Sequence, residues 1–269
     1  MRWLLVWCVA LLGTSGAVAS EKASNPFAQV AQAYLVEIDG SLVWQKNAQQ
    51  RLAPASLTKL MSALLAVEAL GIDTAVAVDA EAAHETGSAL GMLQGERWTV
   101  KDLLAATLIA SANDACRALA DHVGGDQAHF VQRMNRRALQ MNLRNTHFAN
   151  ACGHDAPGHY SSAADLRVLA HALMQNPVLA ELVAQPQAQI TSLRGERSFI
   201  FGNKNALIGR YEGTLGIKTG TTPQAGKCLV VQARRGAHTV LLVLLAGKDR
   251  WWDATDILDI AFARANAPQ

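Results

Sequence analysis

The chain has 269 residues, 50% of them hydrophobic and 17% charged, a balance that supports a folded domain with its own core and excludes a disordered chain. Lys and Arg number 24 against 22 Asp and Glu, a formal net charge of +2. So even a balance excludes a partner held by charge alone, nucleic acid in particular.

Arg2 is followed by an apolar run from Trp3 to Leu12 and then by small residues through Ala17-Val18-Ala19, the pattern of a secretory signal peptide cleaved after Ala19. The run is about half of the ~20 residues that a membrane span needs, and Gly13 to Gly16 break it. Bulky Trp7 before Cys8 argues against a lipid anchor there. Export implies an oxidising compartment, and the mature chain keeps Cys116, Cys152 and Cys228, so at least one thiol stays unpaired. Each sits in an apolar stretch, and buried free thiols are expected rather than a Cys pair.

Two short apolar runs, Ala33 to Ile38 and Leu42 to Lys46, flank Asp39-Gly40-Ser41 and predict a β-hairpin. From Ser56 to Leu70 apolar residues recur at helical spacing, with Gly71 as the stop. Helical periodicity then dominates at Lys101 to Ile109, Asp114 to Val123, Gln127 to Leu139 and Ala163 to Met174. Strand character returns at Gly213 to Thr219, Lys227 to Arg234 and Thr239 to Ala246, and a final helix spans Trp252 to Arg264. Strands at both ends with helices between them predict an α+β fold. An antiparallel sheet flanked by helices would carry an inserted, mainly helical subdomain. The expected division is a signal peptide over 1–19 and one catalytic domain over 20–269. Its sheet part falls at about 30–72 and 206–269 and its helical part at about 73–205, with a cleft between them.

Ser56 and Lys59 stand three apart at the start of the first helix, so their side chains share one face. A serine needs a neighbour to take its proton, and a lysine buried among apolar residues is able to do so because burial disfavours its charged form. Taken alone, the spacing fits a capping serine with an exposed lysine equally well. Ser111-Ala112-Asn113, ahead of a helix, reads alone as an ordinary cap or turn. Lys218-Thr219-Gly220, at the end of a strand, reads alone as a strand running into a turn, with glycine leaving room for another backbone. The three elements in this order form the motif set shared by penicillin-binding proteins and class A β-lactamases.

The chain resembles the low-molecular-mass penicillin-binding proteins, the serine D-alanyl-D-alanine carboxypeptidases, from about Ala33 to Phe262. The likeness includes Asn145-Thr146-His147-Phe148, the stretch from Asp155 to Ala163, and Ala225 to Val230. It implies the β-lactamase/transpeptidase-like fold and an acyl-enzyme formed by Ser56 on peptidoglycan stem peptides, with Lys59 as base and Ser111 relaying a proton to the leaving amine. It implies further that Asn113 binds the substrate amide, that Lys218 and Thr219 of the Lys218-Thr219-Gly220 strand hold the substrate carboxylate, and that the Ser56 and Thr221 N–H groups stabilise the oxyanion. Arg250 stands about where the family places a carboxylate-binding arginine, although a surface role fits it nearly as well. β-Lactam antibiotics are the implied covalent inhibitors.

No cofactor and no metal is expected. Cys152, His154, Asp155 and His159 crowd one stretch as metal ligands would, yet that stretch otherwise matches a loop that lines the family's site without metal. His154 stands where relatives more often carry an apolar residue. A class A β-lactamase would need a glutamate with an asparagine four residues later, and Glu181, Glu196 and Glu212 all lack it. No G-x-S-x-G elbow occurs, and His84-Glu85 has no second histidine at zinc-peptidase spacing. A binding module without catalysis is disfavoured by the joint presence of Ser56, Lys59, Ser111, Asn113 and Lys218. Endopeptidase cleavage of cross-links would use the same residues and stays open. The sequence ends at Gln269 with neither a C-terminal β domain nor a membrane anchor in view, so a soluble periplasmic or cell-wall-associated enzyme is expected.

Overall fold

The computed structural model describes residues 26–267, so the leader lies outside the described residues. The predicted hairpin is present as β1 (Ala31–Ile38) and β2 (Ser41–Lys46). A 3-10 turn over Ala55–Thr58 then leads into α1 (Lys59–Ala69). This corrects the expectation of one continuous helix from Ser56. The main-chain N–H of Lys59 returns to the Ser56 and Leu57 carbonyls, and Ala55 holds a left-handed φ of 49°, so the first turn is tighter than an α-helix.

The middle of the chain contains β3 (Ala75–Ala77), α2 (Ala80–Ala83), β4 (Arg97–Thr99) and α3 (Val100–Ala105), which runs into a π turn over Ala106–Ala110. There follow α4 (Asn113–Gly124), α5 (Gln127–Gln140), α6 (Ala163–Gln175), α7 (Pro177–Ala184) and the hairpin β5 (Gln187–Thr191) and β6 (Ser198–Gly202). The C-terminal part supplies β7 (Thr214–Thr222), β8 (Gly226–Arg235), β9 (His238–Gly247) and α8 (Arg250–Ala265). Six elements of the middle are absent from the sequence reading: the short β3, α2 and β4, the helix α7, and the hairpin strands β5 and β6. The helix α7 is announced by Asn176, whose side chain caps the Val178 and Leu179 N–H groups ahead of Pro177 in the first turn. The hairpin β5–β6 is short and half exposed, so its periodicity is faint.

The five-stranded antiparallel sheet has the order β2-β1-β9-β8-β7, joining the first strands to the last. Its inner strands are apolar on both faces because both faces are covered. In β9, Val240, Leu242 and Leu244 face α8 and pack with Ile257, Leu258 and Phe262, while Leu241, Val243 and Leu245 belong to the other core, with α1 and α4. That second core runs from the sheet into the helices without a break. The strand β7 forms one edge of the sheet, directly beside the turn that carries Ser56.

Candidate active site

Three segments far apart in sequence meet where the edge of β7 approaches the 3-10 turn. Gly220 makes the approach possible, since a Cβ there would lie 2.9 Å from Ala55 Cβ and 3.0 Å from the Ser56 nitrogen. From the other side Gly153, with φ of +92°, presses on the Ala55 carbonyl so closely that a side chain would collide with it.

Lys59 opens α1 and is fully buried. Its Nζ donates to Ser56 Oγ at 3.1 Å, to Asn113 Oδ1 at 2.7 Å and to the Cys152 carbonyl at 2.5 Å. Burial pushes this amine down to about 7, against the pull of the Glu85 and Asp114 carboxylates. A neutral lysine is therefore well populated near neutrality, 3.1 Å from a serine hydroxyl. Asn113 is held in turn by its own Nδ2, which donates to the Thr86 carbonyl at 2.5 Å.

Ser111 closes the π turn in the left-handed region, with φ of 61° and ψ of 29°. This reverses the chain so that α4 starts two residues later and points Asn113 at Lys59. Non-glycine residues pay about 1 to 2 kcal/mol for that conformation, and such strain clusters at functional sites. Lys218 Nζ donates to Ser111 Oγ at 2.9 Å and to the Thr219 carbonyl at 3.0 Å. Burial first, and then the positive charges of Lys59, Arg250 and Lys204, hold Lys218 well below the ordinary lysine range. Thr221 Oγ1 donates to the Gly220 carbonyl at 2.8 Å. Arg250, the first residue of α8, reaches the same strand, where its Nη1 donates to the Gly220 carbonyl at 2.7 Å, to Thr221 Oγ1 at 2.8 Å and to the Cys228 carbonyl at 3.2 Å. The nine residues singled out in the sequence thus gather where β7 meets the 3-10 turn and the start of α4, Arg250 included.

The chain matches a known family and known proteins over most of its length. The D-alanyl-D-alanine carboxypeptidase family model matches residues 19–249. The D-alanyl-D-alanine carboxypeptidase DacF of Bacillus subtilis is 34% identical over 273 residues, 97% of this chain and 70% of that protein. The chain belongs to the D-alanyl-D-alanine carboxypeptidase family. Two crystal structures resemble it throughout. The Streptomyces K15 DD-transpeptidase is 30% identical with a TM-score of 0.82, over 88% of this chain and 98% of that one. The D-alanyl-D-alanine carboxypeptidase of Mycobacterium tuberculosis H37Rv is also 30% identical at 0.82, over 90% and 93%.

Several residues of this family member act around the site without having been legible as site residues. Asp114 fixes the 90–92 loop, its Oδ2 accepting from the Leu90, Gly91 and Met92 N–H groups at 2.8 to 3.0 Å. Glu85 is nearly buried between His154 Nε2 at 2.9 Å and Arg117 Nη1 at 3.4 Å. The contact with His154 is the main cause that holds the Glu85 carboxyl below its usual range. His154 thereby ties the 150–159 loop to the loop beside Asn113, which gives this unexpected residue a place. The four residues weighed as metal ligands have separate partners. Asp155 accepts from Thr222 Oγ1 at 2.6 Å and from the Gln224 N–H at 3.0 Å, His159 bonds to Thr58 and Ala149, and Cys152 is joined to Cys116 in a disulfide.

That disulfide corrects the expectation of three free thiols. Spacing in sequence carried no sign of it, because α4 and the 150–159 loop meet only when both pack on α1. Cys228 alone among the described cysteines is free and buried.

Proposed function

We propose that this chain is a serine-type D-alanyl-D-alanine carboxypeptidase of peptidoglycan stem peptides, working through an acyl-enzyme on Ser56. The observation that carries the reading is the fully buried Lys59 amine, 3.1 Å from Ser56 Oγ and lowered to about 7. As the neutral amine it takes the serine proton while Oγ attacks the carbonyl of the penultimate D-alanine. The Ser56 and Thr221 N–H groups serve the oxyanion, a donor pair whose members are each worth about 3 to 4 kcal/mol in other enzymes. The proton then passes to the leaving amine, with Ser111 as relay, and the bond to terminal D-alanine breaks. Water completes the hydrolysis of the ester with Lys59 again as base. The 2.9 Å bond from Lys218 to Ser111 supports that relay by fixing the hydroxyl.

The open edge of β7 suits an extended peptide lying alongside it, with Asn113 on the substrate amide and Lys218, Thr219 and Arg250 at its carboxylate. β-Lactams, whose strained cyclic amide stands in for the D-alanyl-D-alanine bond, are covalent inhibitors in this reading. Action in the exported cell-wall space belongs to the same proposal, supported by the leader at 1–19. No helix among the described residues is long and apolar enough to cross a membrane.

Intact-mass spectrometry after penicillin treatment tests the assignment. One acyl adduct is expected on the wild-type protein and none on Ser56→Ala. An adduct that survives the substitution removes Ser56 from the role. Purified muropeptides incubated with the enzyme then report the reaction, and release of D-alanine from pentapeptides is the expected product.

A further inference from the structure

Lys59 Nζ is held by three acceptors, and two of them hang from the disulfide. One is the carbonyl of Cys152 itself, at 2.5 Å. The other is Asn113 Oδ1, at 2.7 Å, carried by α4 three residues before Cys116 and so on the same turn of helix. Cys116 is 0% exposed and Cys152 1%, and the bond between them spans 36 residues of sequence. The covalent link therefore joins the two backbone segments that position the amine, directly behind it.

Other contacts hold the loop within itself and against α1. Asn150 Oδ1 accepts from the Gly153 and His154 N–H groups at 2.7 and 3.0 Å, and Ser62 Oγ donates to the Ala151 carbonyl at 2.5 Å. None of these bonds runs through the disulfide, so its loss is expected to keep the fold and to loosen the register of the Cys152 carbonyl against α4.

We propose that the Cys116–Cys152 disulfide positions Lys59, and that the enzyme acylates at full rate only while this pair is oxidised. The inference rests on the Ser56 and Lys59 reading above. Forming the bond joins two thiols and passes two electrons and two protons to a disulfide-type oxidant, which leaves as a dithiol; a dithiol reductant reverses the exchange and closes to its own disulfide. Loosening the loop admits water to Nζ, and hydration favours the ammonium over the neutral base. The charged groups that face the amine are Glu85 from the 84–91 loop, Asp114 from α4 and Lys218 from β7. None of the three lies on the 150–159 loop that the disulfide holds, so hydration sets the direction and fewer amines are neutral at a given pH.

The test measures the rate of penicillin acylation against pH for the full mature protein, in four forms. These are oxidised, reduced with dithiothreitol, reoxidised, and the double variant Cys116→Ala with Cys152→Ala. Reduction and the double variant are each expected to slow acylation about tenfold near neutrality, the effect of one lost positioning bond. Both should move the acid limb of the profile to higher pH with the far-UV circular dichroism unchanged, and reoxidation should restore the first profile. Equal rates and equal profiles in all four forms overturn the inference, as does alkylation of three thiols in the denatured, unreduced protein. Should the double variant lose its far-UV signature, reduced wild type decides. If no form is acylated at all, the serine-enzyme reading fails rather than this one.

Discussion

At the scale of single residues, the site depends on two side chains kept in states that are unfavourable elsewhere. Lys59 is a base only when neutral, and burial brings it to about 7. The sign follows directly: below that value the amine is charged and idle, above it the lone pair is free. Acylation by penicillin is expected to rise with pH through about 7 and then level. Lys59→Arg keeps a donor beside Ser56 but stays charged throughout, and is expected to lose about 10² to 10⁴ in acylation rate at every pH tested. A variant that retains the wild-type rate would sink the role of base. Ser111 is the second case. Glycine is the residue that its φ of 61° favours, so Ser111→Gly relieves strain of roughly 1 kcal/mol. Unchanged or raised thermal stability together with about 10²-fold slower D-alanine release would separate the strained backbone from the hydroxyl it presents. Matching losses in both measurements would make Ser111 a structural residue only.

At the scale of elements, the 3-10 turn that carries Ser56 is held by a directed chain of hydrogen bonds. The Ala149 N–H donates to His159 Nδ1 at 2.9 Å, so the ring proton sits on Nε2 and is given to Thr58 Oγ1 at 2.8 Å, whose hydroxyl donates to the Ala55 carbonyl at 2.8 Å. A second proton on His159 would meet the Ala149 N–H head-on. Burial, with lesser help from the charge of His147, pushes His159 down to about 4 from its ordinary 6.5. The unfolded chain therefore binds the proton first as pH falls, and the stability due to this pairing is lost between about 6.5 and 4. Chemical denaturation should show wild type losing about 2 kcal/mol more between about pH 7 and pH 5 than His159→Gln does, on the scale of 1.36 kcal/mol per pKa unit. Parallel losses would show that His159 is not the titrating group. None of this chain of bonds was legible beforehand. His159 was weighed as a metal ligand and set aside, and the turn at Ala55 packs against Gly153 and Gly220, which arrive from 98 and 165 residues further along.

At the scale of the whole molecule, the legible parts are those whose periodicity is imposed by burial on one or both faces. The strand β9 alternates between two cores, α8 presents Ala254, Ile257, Leu258 and Phe262 to one of them, and both stood out in the sequence. The motif residues were legible as types in order, although Ser111-Ala112-Asn113 and Lys218-Thr219-Gly220 acquire meaning only once the sheet brings β7 against the helices. What stayed hidden depends on meetings across the fold: the pairing of Cys116 with Cys152, the Glu85 and His154 contact, and the loop-holding role of Asp114. Arg250 shows the same dependence at its plainest. In the sequence it fits a surface as well as a site, and the packing of α8 on the sheet is what delivers its guanidinium to β7, where Nη1 binds the Gly220 and Cys228 carbonyls and Thr221 Oγ1. Its Nε is buried without a partner among the described residues. A planar cation at the end of the substrate strand suits a terminal carboxylate, and the contrast that isolates this role is chemical. Arg250→Ala is expected to lower kcat/KM about 10- to 100-fold for a pentapeptide ending in a free D-alanine carboxylate, the worth of a charge-assisted bond. The same peptide ending in an amide has no charge to lose, so its slower cleavage should change little. Equal losses on acid and amide would mean that Arg250 holds the strand and not the substrate, since the bonds to Gly220 and Cys228 serve both peptides alike.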